Sequence, residues 1–440
     1  MHHDYDDGRR DRRFRFKIRY LILAVVTALV AAVILHMVLL SSRADRRLMA
    51  LRAAGQPTNL AELASRNKLP MGMDNAAPAY ESAFAAFVPP ADDANVPYVG
   101  RAAESPDRGA ALPEQVAKAV ADCLAANERC LTLLHEAAGI ENCRYDYDYR
   151  QGYPRFKELR SCVLLLKLAT IHYGHKGDAD AAVACIKDGL CLGDSLRKEP
   201  LLISYLVRMG CVGATIAGLE RALSVAAFTD PQLRDLDDAL AATAGRLDLA
   251  QTMVTERCLL IECIRDPTLT GITGAGASIL KLPGIRSRGL IDILDHMEDC
   301  IEAAGLPCTQ RVSRFREIEV RLHGLSMLHE VAKMLAPAMS RIAELDLRCR
   351  AHLDLARTAL AIERYRLATG KVPEQLGDLM PKYLEQVPID PFDGRPIRYK
   401  RREPGYLLYS VNDDGQDNGG RERSDAGKGE PYDWCFIVMR

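Results

Sequence analysis

The feature that most constrains this chain is an uninterrupted apolar run near its N-terminus. Residues 20–40 contain no formally charged side chain. As a helix they would span about 30 Å, which matches the hydrocarbon thickness of a bilayer. A cleavable signal sequence usually has an apolar part of only about 7 to 15 residues, and no clear small-x-small cleavage site follows Leu40. We therefore expect residues 20–40 to form an uncleaved signal anchor, a transmembrane helix in contact with the lipid bilayer.

Basic residues flank this run unequally. Seven arginines and lysines lie between positions 9 and 19, whereas three arginines follow the run between positions 43 and 47. The more positive flank of a membrane helix usually stays in the cytoplasm. This predicts a single-pass protein of the bacterial cytoplasmic (inner) membrane, with residues 1–19 as a cytoplasmic basic tail and the body extracytoplasmic, in the periplasm.

Overall charge and cysteine content narrow the classes of partner. Lysine plus arginine number 58 against 59 aspartate plus glutamate, so no net field attracts nucleic acid, and none is expected as a partner. An exported body would sit where disulfides persist, and pairing among the 13 cysteines stays open. No Cys-x-x-Cys and no zinc-finger spacing occurs. We expect most of the thiols to be buried and free, acting as small hydrophobic groups.

Apolar spacing of three and four residues predicts a mainly helical body after Pro113. The predicted helices, with breaks in the longer ones, cover about residues 155–174, 178–196, 201–226, 231–264, 289–304 and 310–369. Gly139 is predicted to end an earlier helix as a left-handed cap, and Asp230 to cap a helix that begins at Pro231.

Two segments outside these helices are predicted to be irregular. Residues 41–112 place short helical patches between proline-containing loops and are predicted to form a stalk or linker. Residues 113–346 would then be a helical domain with its own core. Residues 265–289 are rich in glycine but match neither phosphate-binding pattern, which predicts a mobile connector.

One helical pair is similar to a tetratricopeptide unit. In residues 168–192, Tyr173, Gly177, Ala182 and Ile186 fall where that repeat places its aromatic, its turn and its packing residues. Such solenoids need about three stacked units, and no second copy follows at a fixed period. The resemblance implies a helical hairpin or bundle, not an array.

The last part of the chain, residues 347–440, changes character. A helix ending at Gly370 is followed by turns and by strand candidates around residues 397–400 and 406–411. Three short motifs follow one another before an acidic, glycine-rich loop: TGKVP at 369–373, DPFDGRP at 390–396 and YSV at 409–411. This succession resembles the globular head of the major pseudopilin of type II secretion systems. The resemblance implies a small α+β domain and does not extend to the leader and membrane helix of that family.

In that family the acidic loop binds calcium. Calcium takes six to eight oxygen ligands, for which carboxylates in a glycine-rich loop are suitable. The resemblance implies metal ligands at Asp414, Asp417 and Asp433, with Asp413 and Asp425 as substitutes. Asn412 stands where the family usually has glycine, which is tolerable because asparagine adopts left-handed geometry. A solvated acidic turn without metal is the alternative.

A second candidate site is the segment RYDYDYRQGYP, residues 144–154. Tyr145, Tyr147, Asp148 and Tyr149 would suit a ligand-binding loop, since aromatic rings beside carboxylates stack on and hydrogen-bond a sugar or a peptide. The alternative is an ordered connection whose rings pack on adjacent helices. We find no catalytic constellation, because neither H-E-x-x-H nor G-x-S-x-G occurs.

These patterns favour a binding protein over an enzyme. We expect a membrane-anchored extracytoplasmic scaffold or interaction protein with protein partners, whose pseudopilin-like, calcium-binding head is linked to envelope secretion or assembly. The alternative is an envelope hydrolase acting on glycans near residues 144–154. Convergence of Asp146, Asp148 or His175 in one cleft would favour the enzyme.

The charge asymmetry predicts the result of a fusion experiment. A reporter that is active only after export should be active when fused after Arg440 and inactive when fused before Met1, because the basic flank stays inside. Reporter activity in intact cells measures this. A C-terminal fusion that is active only in the cytoplasm would overturn the orientation.

Overall fold

The computed structural model describes residues 7–101, 108–146, 155–199, 201–270, 274–324, 329–336 and 338–440. The chain is mainly helical, as predicted, with a small three-stranded sheet near its C-terminus. The helices are α1 (Asp7–Ala53), α2 (Leu60–Arg66), α3 (Ala77–Ala86), α4 (Glu114–Ala126), α5 (Glu128–Ala138), α6 (Phe156–Lys176), α7 (Ala179–Asp194), α8 (Leu202–Val225), α9 (Asp230–Gly245), α10 (Leu249–Arg265), α11 (Gly274–Leu280), α12 (Pro283–Gly305), α13 (Cys308–His323), α14 (Glu330–Leu335) and α15 (Met339–Thr369). The strands are β1 (Arg398–Arg401), β2 (Tyr406–Ser410) and β3 (Trp434–Val438).

The predicted membrane span lies within the single long helix α1. Its large apolar side chains between positions 20 and 36 are all exposed, by 49% at Val26 to 64% at Leu21. This helix is long and apolar enough to cross a membrane. Helix α8 passes the same test of length and composition, but most of it is buried, as in the core helix of a soluble unit.

The chain divides into two compact units, each assembled from separated stretches. Unit 1 contains Met1–Glu62, Arg257–Glu298 and Arg321–Pro337, and unit 2 contains the remaining stretches Leu63–Glu256, Asp299–Val320 and Ala338–Arg440. These units differ from the boundaries predicted at 112/113 and 346/347. Across the first of these boundaries, α3 packs in one core cluster with α4, α5 and α6, and α15 runs through the second without a break.

In unit 1, one face of α1 begins to be covered only at Met37. From there Ala44 and Leu48 are buried at helical spacing. Arg47 on the same face pairs with Asp295 of α12 at 2.6 Å and with Glu298 at 2.7 Å. The part of α1 from Met37 onward therefore has one face packed against protein, whereas residues 20–36 do not.

Also in unit 1, the glycine-rich segment predicted as a mobile connector is more ordered than expected. Where the structure describes residues 265–289, they include the short helix α11 and the beginning of α12. A β-carbon at Gly289 would lie 2.9 Å from Val331 of α14, so a larger residue there would collide with that helix. Glycine serves close helix packing here and does not provide a phosphate loop.

In unit 2, the hairpin predicted within residues 168–192 is formed by α6 and α7. Gly177 ends α6 in the left-handed conformation, with φ +73°. The side chain of Asp178 caps α7 by accepting a hydrogen bond from the N–H of Ala181 at 3.0 Å. The hairpin is confirmed, and the tetratricopeptide resemblance stays a prediction.

Two predicted helix caps were wrong. The N-cap of α9 is Thr229, whose backbone is extended. Its hydroxyl accepts from the N–H of Gln232, and the Gln232 side chain accepts from the N–H of Thr229, which forms a capping box. Asp230 is instead the first helical residue and pairs with Arg364 at 2.8 Å. Gly139 has φ −71°, so it ends α5 without entering the left-handed region.

The sheet is antiparallel in the order β1-β2-β3, and β3 was missed from the sequence. Besides pairing with β2, strand β3 contacts the helices α8 and α15. The N–H of Ile437 donates to the buried carboxylate of Glu220 on α8 at 2.7 Å, and His352 on α15 makes edge contacts with Trp434 and Phe436. The C-terminal segment therefore shares a unit with the helices and is not a separate head.

The expectation of buried, free thiols is confirmed. All 13 cysteines are free, and ten of them are buried. The sulfur atoms of Cys130 and Cys162, on α5 and α6, lie 3.9 Å apart, a contact between thiols and not a covalent bond. These side chains pack as small hydrophobic groups.

The turn before β2 predicts a large effect of one methyl group. Gly405 has φ +92°, and a β-carbon there would lie 1.8 Å from the carbonyl oxygen of Val438. Gly405→Ala should lower the free energy of unfolding by about 2 to 4 kcal/mol, through left-handed strain and displacement of β3. Denaturation of the full chain in detergent, followed by fluorescence of Trp434, the only tryptophan, measures this.

Gly210 provides the matched control. It is exposed on α8, and a β-carbon there meets nothing within 4 Å. Gly210→Ala should be neutral or raise the free energy of unfolding by about 0.5 to 1 kcal/mol, because alanine favours helix. Equal effects of the two substitutions would contradict the packing of the Gly405 turn.

Candidate functional site: the acidic loop and a polar cleft

The acidic loop after β2 begins with the geometry that the sequence predicts. Asn412 has φ +62° and is buried. Its side-chain oxygen accepts from Arg348 Nε at 2.8 Å, and its amide donates to the carbonyl oxygen of Tyr432 at 3.3 Å. The left-handed backbone expected of Asn412 is confirmed.

The three predicted calcium ligands lie around one short segment, residues 418–420. Asp433 is buried and accepts from the N–H of Asn418 at 3.2 Å and of Gly420 at 2.6 Å. Asp414 accepts from the side-chain amide of Asn418 at 3.1 Å, and Asp417 accepts from the N–H of Gly419 at 2.9 Å. Burial raises the pKa of Asp433, although the backbone donors oppose this.

These carboxylates do not form a ready metal centre. Their oxygens accept protein N–H groups, and the substitute ligand Asp413 pairs with Arg348 at 2.6 Å. Among the described residues, no group of three or more histidine, cysteine, aspartate or glutamate side chains is arranged to hold a metal ion. In this structure, donors within the loop already hydrogen-bond the carboxylate oxygens, as expected of an acidic turn without metal. Calcium binding stays a prediction.

The DPFDGRP turn has a structural role that its motif did not reveal. Asp390 is fully buried and accepts from Ser410 Oγ at 3.0 Å and from the N–H of Val411 at 2.9 Å. It also pairs with Arg398 at 2.9 Å. One carboxylate therefore ties this turn to the end of β2 and to β1, and so positions the start of the acidic loop.

The tyrosine- and aspartate-rich loop is only partly within the described residues. Tyr147, Asp148 and Tyr149 lie outside them. Tyr145 is 1% exposed, and its hydroxyl lies 3.0 Å from Ser195 Oγ. Its ring is packed in the core of unit 2, as the alternative of an ordered connection predicts, and the ligand-binding loop stays a prediction.

The helical part of unit 2 contains a polar cleft that no sequence motif indicated. It has a cavity volume of about 370 Å³, within the range of small-ligand sites. Its walls come from the α7–α8 and α9–α10 connections and from the first turns of α8 and α10. The lining residues are Leu196, Arg197, Glu199, Leu201, Tyr205, Arg208, Gly245, Arg246, Asp248, Gln251, Thr252 and Thr255.

One wall of the cleft is held by a buried ion network. Arg208 is 3% exposed and donates to Asp194 at the end of α7 at 2.6 Å. Arg246 donates to the other oxygen of Asp194 at 2.6 Å, and its carbonyl oxygen accepts from Arg208 at 2.9 Å. Asp194 thus joins α7, α8 and the α9–α10 connection, so the arginine side chains have fixed directions.

A second network holds Tyr205 from behind. Its hydroxyl donates to Asp346 on α15, a fully buried carboxylate. Asp346 also accepts from Arg350 at 2.9 Å and from Arg311 at 3.2 Å. Burial beside Asp346 raises the pKa of Tyr205, so the phenol stays neutral and acts as a fixed hydrogen-bond donor.

The cleft combines preoriented cations, a carboxylate and hydroxyl groups in one polar surface. Such a surface is suited to hydrogen-bonding an extended polar ligand, with arginine for its anionic groups. Its residues are spread over about sixty positions and form no motif. One signal was present: Arg208 interrupts an otherwise apolar stretch of α8, and a charge on a buried helical face needs a partner.

Comparisons of the chain with models of known families, with curated proteins and with solved structures find no match. The resemblances to the pseudopilin head and to the tetratricopeptide unit therefore stay predictions.

The Asp194 network predicts an asymmetry between two aspartates. Asp194→Asn should lower the free energy of unfolding by about 3 kcal/mol, because it leaves Arg208 buried without a charged partner. Asp235→Asn removes the partner of Lys187 at 2.8 Å, but that pair is exposed, and the loss should stay under about 1 kcal/mol. Urea denaturation followed by Trp434 fluorescence compares them. Similar losses would mean that the network does not stabilise the cleft wall.

Proposed function

We propose that this chain is a membrane-anchored extracytoplasmic scaffold or interaction protein. The observation that carries the proposal is the exposure of α1: apolar side chains point outward on every side between positions 20 and 36, and protein packing begins only at Met37. Exposing so many large apolar groups to water is unfavourable, whereas a bilayer accepts them. The helix thus fixes the remaining chain to a membrane surface.

The proposed orientation follows from charge. The basic residues before position 20 favour a cytoplasmic N-terminus in the bacterial inner membrane, with the chain after the span on the periplasmic side. The pseudopilin-like order of motifs in residues 347–440 supports a role in envelope secretion or assembly.

The polar cleft supports a binding role for unit 2. Its walls are already held in place, because Arg208 is fixed by Asp194 and Tyr205 by Asp346, which reduces the entropy lost on binding. Its mixed charge and its hydroxyl groups match a polar segment of a protein partner better than an apolar helix.

The positions of the hydrolase candidates support this role over the enzyme. His175 lines a small cavity with Tyr98 and Arg221, and Asp146 is not among the residues that line it. Asp148 lies outside the described residues. Of the described candidates, Asp146 and His175 do not line one cavity.

The calcium proposal for the acidic loop rests on the placement of Asp414, Asp417 and Asp433 around residues 418–420. Those residues would hold the ion, which would supply positive charge to a crowded acidic turn. For calcium to bind, the hydrogen bonds that the loop N–H groups and the Asn418 side chain donate to these carboxylates would have to break. The affinity should therefore be modest.

Membrane anchoring is tested by tags at both ends of the full chain. An uncleaved anchor should keep the N-terminal and C-terminal tags on one polypeptide that resists alkaline extraction from membranes. Leu29→Arg with Val33→Arg should release the chain, because each central arginine costs about 3 kcal/mol of insertion. Met49→Arg, at a position of α1 that is equally exposed but beyond the span, should leave it anchored. Loss of the N-terminal tag would identify a cleaved signal sequence instead.

Calcium binding is tested on the full chain in detergent, because the loop belongs to unit 2. With a dissociation constant of about 10⁻⁴ to 10⁻³ M, millimolar calcium should stabilise unit 2 by roughly 0.4 to 1.4 kcal/mol, and magnesium should substitute poorly. Asp414→Ala should abolish most of the shift in unfolding midpoint. Glu385→Ala, which removes an exposed carboxylate outside the loop, should retain it. Identical midpoints with calcium and with chelator would leave only an acidic turn.

A further inference from the structure

Helix α1 is covered by protein before its apolar run has ended. The exposed stretch from 20 to 36 amounts to about 26 Å of helix, which is shorter than a hydrocarbon core of about 30 Å. The remaining positions of the run, 37–40, must complete the span. Whatever packs on α1 at Met37 therefore lies at the level of the outer edge of the hydrocarbon.

The element that packs there is the beginning of α12, in the same unit. A β-carbon at Gly284 would lie only 3.0 Å from the side chain of Met37. Gly284 is the second residue of α12 and follows the turn that joins it to α11. The α11–α12 turn is thus held beside the end of the apolar run.

This turn exposes large apolar side chains instead of burying them. Ile279 is 54% exposed and Leu282 is 48% exposed. Met334 of α14 is 60% exposed, and it lines the same small apolar cavity as Leu280, which places it next to the turn. The exposed residues Lys281 and Arg286 flank these groups.

We propose that Ile279, Leu282 and Met334 form a second bilayer contact, which lies in the outer interface beside the transmembrane helix. Their apolar side chains enter the region between the headgroups and the acyl chains, and Lys281 and Arg286 meet anionic headgroups, as in interfacial segments. A bilayer is the occupant that the geometry favours, because the surface is continuous with the span through the Met37–Gly284 contact. The inference rests on the proposed membrane anchor and adds that unit 1 is held against the membrane surface at two points.

The test uses single tryptophan additions in the full chain, reconstituted in vesicles of phosphatidylcholine and phosphatidylglycerol with or without brominated acyl chains. Bromine quenches only tryptophans that reach the lipid. Leu282→Trp and, as a second variant, Ile279→Trp should each lose most of the added emission in brominated vesicles, after subtraction of the Trp434 signal from the unsubstituted chain. Circular dichroism verifies that each variant is folded.

Two controls separate the inference from the anchor. Leu35→Trp, inside the span, should be strongly quenched, and Ile389→Trp, a 50% exposed apolar position of unit 2, should not be quenched. Quenching at position 35 but not at 279 or 282 would overturn the second contact and leave the anchor intact. Absence of quenching at all three would overturn the anchor as well. Emission at 282 that depends on protein concentration but not on bromine would assign the surface to a second copy of the chain, which also contradicts the proposal.

Discussion

Buried carboxylates decide how the helices of unit 2 can be arranged. An ionised group removed from water must be paired, or its burial costs several kcal/mol. Asp346 meets this requirement with Tyr205, Arg311 and Arg350, and so joins α8, α13 and α15. Asp194 and Glu220 have corresponding roles toward the cleft wall and toward β3. The apolar faces hold these helices together, but the carboxylates specify their register, because a small shift would leave a charge unpaired.

The two units treat apolar surface in opposite ways. Unit 2 buries most of α8, a helix that is long and apolar enough to cross a membrane, and its exposed large apolar side chains are scattered, for example at Val320 and Ile389. Unit 1 exposes large apolar side chains at two places, residues 20–36 of α1 and the α11–α12 turn. The proposed membrane anchor and second bilayer contact would account for both exposures with one cause. The two helices differ in their surroundings and in composition, since the span in α1 is the more apolar and α8 contains Arg208 and Glu220.

The acidic loop illustrates how a motif and a site differ. Asp414, Asp417 and Asp433 gather around residues 418–420, as the motif predicts, but no three such side chains among the described residues are arranged to hold a metal ion. Yet their oxygens already accept N–H groups, so an ion would compete with bonds that stabilise the turn. The polar cleft shows the reverse case: it has no motif, but its side chains are oriented by partners outside the cleft, such as Asp194 and Asp346.

The sequence alone determined the features whose cause is local. An uncharged run of bilayer length predicts α1, glycine with a positive φ ends α15 at Gly370, and asparagine replaces glycine at position 412. Helix existence followed from apolar periodicity, since each helix buries one face. The cap at Thr229 was missed by one residue, because its capping box with Gln232 competes locally with Asp230.

Tertiary structure alone decided which distant residues meet. Strand β3 is short, and its partners are β2 and the carboxylate of Glu220 more than two hundred positions earlier, so no local pattern indicates it. Tyr145 became a core residue because Ser195 satisfies its hydroxyl, which the sequence does not reveal. The cleft and the α11–α12 surface exist only where separated segments pack together. Burial and charge pairing act through space, and the chain order does not encode which pairs will be adjacent.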